Sequence, residues 1–217
     1  YCEHMKILDA SYNCCESIPP EFSLFQGKIK IFNLANNPIF DPPQDVLNHG
    51  AARMFLYLRR MFYAKKSRDL HFAHMQLSVF TLSPIRIVEL EHLDLSYNSF
   101  SFLPESMSIM TRLTHLNISD NRFESMPAFI VGCCNLKFLA ANCNMIRSIT
   151  NEFDGCKSSL TELSIDLNRM NEMNRSIAEM FALVRISVSR NRLSGMDKDT
   201  LRYKTVKEVD ISFNFMH

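Results

Sequence analysis

Four of the seven histidines, His71, His74, His92 and His115, lie close along the chain with Asp69 and Asp94. Imidazoles beside carboxylates support three chemistries: binding a divalent metal, moving a proton, or forming a polar patch whose charge changes between about pH 5 and 8. Asp69, His92 and His115 follow one another at steps of 23 residues, and His71 and Asp94 are separated by the same step. Structural metal sites instead draw their ligand pairs from gaps of about two to five residues. Without such a motif, a solvated patch that engages a partner and responds to pH is the better reading of these residues than a metal site.

Other chemistries find little support. No G-x-x-x-x-G-K-[ST], G-x-G-x-x-G, G-x-S-x-G or H-E-x-x-H occurs, and five glycines leave little scope for a phosphate cradle. No catalytic residues and no cofactor are expected. The 24 basic and 23 acidic side chains nearly cancel, so no global field favours nucleic acid. No apolar run approaches the length of a membrane span, and no signal peptide is visible. Seven cysteines form an odd set with no framework spacing, which fits reduced thiols in an intracellular, cytoplasmic protein.

The step of 23 runs through most of the chain. Segments beginning at Leu90, Leu113, Leu136, Leu160, Leu183 and Val206 share the frame L-x-x-L-x-L-x-x-N-x-L, and their starts are 23 or 24 residues apart. Two further copies begin at Met5 and Ile29, and a degenerate one at Ser67 carries Met75 in place of the asparagine. A fixed period of this length denotes stacked structural repeats, each unable to bury its apolar face alone. The frame is that of leucine-rich repeats, and the chain resembles that superfamily over nearly its whole length. The resemblance implies an α/β leucine-rich-repeat solenoid, an arc with a parallel sheet on its concave face and short helices or irregular turns on its convex face.

Within the frame, the fourth and sixth positions enter the core and their neighbours face solvent, because side chains alternate along a strand. The ninth position, Asn13, Asn37, Asn98, Asn121, Asn144, Asn168, Asn191 and Asn214, reads as a structural ladder whose amides satisfy backbone groups at the turn. Phe22, Met107, Ile130, Phe153 and Ile177 fill the convex side, and Phe100, Phe123, Met126 and Met170 act as similar filler, whereas the frame puts Met145 outside the core. Cys15, Cys133 and Cys156 fall on apolar positions and are expected to be buried free thiols.

Between Ile29 and Ser67 the chain carries about fifteen residues more than one repeat. Pro42 and Pro43 stop the strand-turn unit, and Leu47, Ala51, Met54, Phe55, Leu58 and Met61 then form one apolar helical stripe. Asn37, Pro38, Pro42, Pro43, Val46, Gly50, Tyr57, Leu58 and Arg59 are similar to the segment that closes a repeat block in intracellular leucine-rich-repeat proteins, Roco-type proteins among them. The repeats resume afterwards at Ser67. The reading is therefore one solenoid over 1–217: a first block over 1–43, an inserted amphipathic helix over 44–66, expected on the convex side, and a second block over 67–217, which ends part way into a coil, so that more repeats or another domain are expected to follow.

Function then resides in the outward rungs. The third, fifth and eighth frame positions nominate His71, His92, Asp94, Tyr97, His115, Asn117, Phe138, Glu162, Arg185, Arg190 and Asp210 as partner-binding, with Asp166 beside them. Exposed Tyr97, Phe138, Leu167 and Phe213 near Arg122, Arg169, Arg190 and Arg192 have the composition of interface anchors. The expectation is a scaffold or adaptor that binds a protein partner through its concave face, within a larger assembly or free. The alternative is the targeting arm of a larger signalling enzyme, a phosphatase, cyclase, kinase or Roco GTPase. A receptor ectodomain is a third reading, permitted by the sequons at Asn117 and Asn174 and opposed by the missing cysteine-rich caps.

Overall fold

The computed structural model describes residues 4–81, 87–173, 177, 179–195 and 205–216. Nine three-residue strands are described, each starting at the third frame position: β1 Ile7–Asp9, β2 Ile31–Asn33, β3 Asp69–His71, β4 His92–Asp94, β5 His115–Asn117, β6 Phe138–Ala140, β7 Glu162–Ser164, β8 Arg185–Ser187 and β9 Glu208–Asp210. All pairs are parallel and in frame register, so His92 lies opposite both Asp69 and His115. β1 and β2 form one sheet, and β3 to β9 form a second in chain order.

The interior follows the frame. Leu70, Leu93, Leu116, Leu139, Leu163 and Ile186 stack at the fourth position, and Phe72, Leu95, Ile118, Ala141, Ile165 and Val188 at the sixth, all buried. Met107, Ile130, Phe153 and Ile177 are fully buried behind them, while Phe22 is half-buried. Each large side chain removed from water in this way contributes about 1.5–3 kcal/mol. Cys133 and Cys156 are buried and Cys15 is only half-buried, because its coil belongs to the shorter sheet. Burial drives the Cys133 thiol up to about 12 and the Cys156 thiol up to about 11, so both are protonated core residues.

The convex side is made of proline-led 3-10 turns at Pro20–Phe25, Glu105–Ile109 and Ala128–Gly132. Proline fixes φ for such a turn and gives up a donor that would be unpaired there. Adjacent turns touch backbone to backbone: a Cβ on Gly155 would sit 1.7 Å from the Val131 carbonyl oxygen, so only glycine fits.

The asparagine ladder binds coil to coil. Asn168 donates from its amide to Ala141, Ile165 and Asp166 carbonyls and accepts the Ile146 N–H at 2.9 Å. Asn37, Asn98, Asn121, Asn144, Asn191 and Asn214 repeat the pattern, whereas Asn13, with no preceding coil described, bonds only Ala10 and Ser11. Met75 cannot do this. Its degenerate turn is held by two arginines instead, Arg60 to the Ala73 carbonyl at 3.0 Å and Arg53 to the Met75 carbonyl at 2.7 Å.

Those arginines belong to the interruption. After a short α1 (Gln44–Leu47), α2 runs over Ala51–Ser67. As expected, it packs on the convex turn of the first block, its largest contact, and it also touches β3, so it sits between the two sheets. Phe55 packs on Phe22 and Phe32 of the first block, and Tyr57 stacks on Phe72 of the second at 4.6 Å. Tyr57 and Ala64 therefore join Met54, Phe55, Leu58 and Met61 in the core, Ala51 is exposed, and the Tyr57 hydroxyl donates to buried Asp41. Among the described residues, no helix is long and apolar enough to cross a membrane.

Candidate functional site

Position three of the second sheet forms a continuous ladder. The His92 Nδ1 lies 2.5 Å from Asp69 Oδ1, the His92 and His115 rings meet edge to face at 4.4 Å, and His115 stacks on Phe138 at 5.9 Å. Strand spacing of about 4.8 Å makes such rung-to-rung contact possible. His71, His92, Asp94, His115, Asn117 and Phe138 line a hollow of about 300 Å³ floored by Leu93 and Leu116. Desolvation, with help from His92 and Lys137, pushes the His115 imidazole below its usual range, so it is neutral near neutral pH. Phe138 is half-buried rather than exposed.

Further along, the ladder becomes ionic. Arg185 reaches Glu162 at 3.2 Å on one side and Glu208 at 2.9 Å on the other. Glu162, Ser164, Arg185, Ser187, Glu208, Asp210 and Phe138 border a wider trough of about 520 Å³.

The fifth position has a duty that sequence reasoning assigned elsewhere. Asp94, Asn117 and Asp210 each accept the N–H two residues on, at 2.9, 3.1 and 2.9 Å, and so cap their own turn. Hydrogen bonds from Ser212 hold Asp210 below the usual carboxylate range. Where the fifth position is Ala140, Ser164 or Ser187, the acceptor comes from the seventh position of the preceding coil. Ser119 Oγ accepts the Asn142 N–H, Asn142 Oδ1 accepts the Asp166 N–H at 2.7 Å, and Asp166 Oδ1 accepts the Ser189 N–H at 2.7 Å. Asp166 also bonds the Ser164 and Ser187 hydroxyls, so its oxygens face the fold rather than solvent. The signal in the sequence is the recurrence of Ser, Asn or Asp at the seventh position.

The eighth position is left-handed in every coil. Tyr12, Asn36, His74, Tyr97, Asp120, Cys143, Leu167, Arg190 and Phe213 all have φ between 53° and 58°. That conformation suits Gly and Asn and costs about 1–2 kcal/mol for other side chains. The exposed bulky members partly pair off along the rim: His74 stacks on Tyr97 at 4.2 Å, and the Arg190 guanidinium sits 5.2 Å from the Phe213 ring centre. His74 thus points to the rim and does not line the hollow. Arg122, Arg169 and Arg192 are exposed.

Among the described residues, no group of three or more His, Cys, Asp or Glu is arranged to hold a metal ion. The sequon at Asn174 lies outside the described residues.

The Leucine Rich Repeat family model matches residues 89–110 and 112–133. A leucine-rich-repeat protein of Leptospira interrogans is similar in structure, with a TM-score of 0.61 and 20% identity, over 99% of this chain and 45% of that one. The crystal structure of PEPR1-AtPEP1 is also similar, with a TM-score of 0.56 and 21% identity, over 99% of this chain and 26% of that one. The chain thus spans less than half the length of either. No curated protein matches the sequence.

Proposed function

Because this chain is a leucine-rich-repeat solenoid, we propose that it is a protein-recognition scaffold whose concave face, from β3 to β9, seats a partner by surface complementarity and without turnover. One observation carries the reading. The third-position rungs have no core duty, yet Asp69, His92, His115 and Phe138 form an unbroken stacked run over a hollow floored by leucines. A solvated face has no need of that apolar and aromatic content, whereas binding hot spots are built from it. Of the residues nominated from sequence, His71, His92, His115, Phe138, Tyr97 and Arg190 are those we assign to contact. Glu162, Arg185 and Glu208 set charge complementarity across the trough. Asp94, Asn117, Asp166 and Asp210 act mainly as turn caps that hold the rungs in line. Six described cysteines are free, two of them protonated in the core, which supports residence in a reducing, intracellular compartment.

The test is quantitative partner capture by variants on opposite faces. Phe138→Ala and Arg190→Glu are each expected to weaken binding of the same partners by about 1–2 kcal/mol, roughly 5- to 30-fold. Val131→Lys and Phe102→Ser, at exposed sites of 47% and 61% accessibility away from the strands, should leave them bound. Loss of the partners from the second pair, with retention by the first, overturns the assignment of the face.

A further inference from the structure

The outward face of α2 is not a solvated face of mixed charge. Leu56, Arg59, Arg60 and Tyr63 share one side of the helix, being spaced at i, i+3, i+4 and i+7. With Ser67, Asp69 and His71 they enclose a cleft of about 380 Å³ where the helix meets β3. The cleft opens on the concave side, since His71 lines both it and the hollow beneath His92 and His115.

Two guanidiniums, Arg59 and Arg60, line this cleft, and among the described residues neither forms an ion pair. Arg60 is half-buried, and it donates to the neutral Ala73 carbonyl. Nearby carboxylates are committed elsewhere. Asp69 is held by His92, and Asp94, whose field does reach Arg60, caps the turn at Ser96 and lies 3.9 Å from His71. Of the other exposed arginines, Arg68 pairs with Glu91, Arg112 with Glu89, Arg147 with Glu124 and Arg185 with Glu162 and Glu208, while Arg122, Arg169, Arg190 and Arg192 form no ion pair among the described residues. What marks this cleft is that Arg60 is half-buried with a second guanidinium in the same cleft. A half-buried cation beside a second cation is costly unless an anion completes the site. Planar guanidinium forks match phosphate oxygens in pairs, and a phosphate monoester carries about −1.5 to −2 charge, enough to balance both. A carboxylate balances only one. Exposed Tyr63, with 62% of its surface accessible, and Leu56 add an apolar wall beside the cations.

We propose that this cleft takes the phosphate ester of a phosphorylated side chain on the protein partner that lies along the concave face. The inference rests on the concave-face reading above, because the shared His71 is what makes the cleft continuous with that face.

The probe is phenyl phosphate, titrated against the whole chain and followed by amide and arginine side-chain NMR shifts, with phenylacetate as the carboxylate control. The expected result is saturable shifts confined to Arg59, Arg60, Tyr63 and His71, with phenylacetate at least about tenfold weaker. Arg59→Gln, at an exposed site with no fold contact to lose, should weaken phenyl phosphate binding by about tenfold or more. Arg60→Lys keeps the charge but loses the fork, and should weaken it as well. Equal binding of phenylacetate, shifts centred elsewhere, or indifference to Arg59→Gln overturns the proposal. The two readings fail separately. Absence of phenyl phosphate binding, with partner capture still sensitive to Phe138→Ala, removes the cleft alone. Binding of phenyl phosphate, with capture insensitive to Phe138→Ala and Arg190→Glu, removes the wider reading.

Discussion

On β3 to β6 the third frame position carries Asp69, His92, His115 and Phe138, packed ring against ring, whereas on β7 to β9 it carries Glu162, Arg185 and Glu208, neutralised in alternation. The two regions share strand length, register and core. They differ in where each turn finds its hydrogen-bond acceptor. Asp94 and Asn117 cap from within their own coil, so the fifth rung is occupied and the hollow there is about 300 Å³. In the coils of β6, β7 and β8 the cap reaches across from the preceding coil, the fifth rung shrinks to Ala140, Ser164 and Ser187, and the trough there is about 520 Å³, while Asp210 on β9 again caps its own turn. The size of the fifth rung thus goes with a turn-capping choice that contributes nothing to the core itself.

The strongest way to break this comparison is to remove one cap of each kind. Asp166→Ala strips an acceptor from the Ser189 N–H and from the Ser164 and Ser187 hydroxyls, and Ser189 is buried. Asp94→Ala strips one from the Ser96 N–H alone among its close hydrogen bonds, and Ser96 is buried as well, so the two variants differ in the number of donors they orphan. A buried donor left unpaired costs about 1–3 kcal/mol, so the expected loss is about 2–3 kcal/mol for Asp166→Ala and about 1 kcal/mol for Asp94→Ala, read as shifts in urea midpoint at constant slope. Equal losses would mean that the two halves are capped equivalently.

How far this could be seen in advance depends on the range of each interaction. Every described strand begins at the frame position the period assigns, because the alternation of Leu93 and Leu95, or Leu116 and Ile118, is local and the core repeats it coil by coil. The asparagine ladder is legible for the same reason. The seat of α2 is only partly so. A stripe through Met54, Leu58 and Met61 announces one buried face, but Phe55 and Tyr57 meet opposite blocks through Phe22, Phe32 and Phe72, partners fixed only once both blocks stand. Cross-coil caps are equally hidden, since Asn142 and Asp166 look like ordinary solvent-facing polar residues until the stacking brings the next turn to them. The left-handed eighth position is masked in another way: Asn36 and Asp120 would advertise it, but Tyr97, Leu167, Arg190 and Phe213 do not.

That eighth position offers the next test. Leu167 is 45% exposed, left-handed, and without a ring or cation stacked on it, so Leu167→Asn should stabilise the chain by about 0.5–1 kcal/mol through release of backbone strain. Tyr97 has the same backbone but stacks on His74 at 4.2 Å. Tyr97→Asn gives up that contact, and its net gain should fall near zero. Thermal midpoints of the two variants decide the matter: a gain at Tyr97 as large as that at Leu167 would show that the aromatic pair contributes nothing to stability.

The smallest effect separates the two halves by pH. His115 has a folded pKa below its usual 6.5, from burial first and then from His92 and Lys137, with Glu162 opposing. Below 6.5 the unfolded chain therefore binds the proton more readily than the folded one, stability rises with pH through that window, and the penalty is complete once the pH is under the folded pKa. Replacing His115 by Gln should flatten the fall in urea midpoint between roughly pH 7.5 and pH 5, while the wild type falls more steeply. The other half answers only in stronger acid. Asp210, held below 3.8 by hydrogen bonds from Ser212, contributes stability that is present above 3.8 and lost as the pH drops through its folded pKa. Asp210→Asn should leave the profile between pH 7.5 and pH 5 unchanged and blunt it only below about pH 4. A profile in which His115→Gln has no influence above pH 5, or in which Asp210→Asn alters the neutral window, would mean that the two groups do not titrate separately, because partial desolvation of His115 where it packs against His92 and Phe138 is what keeps its proton off near neutrality.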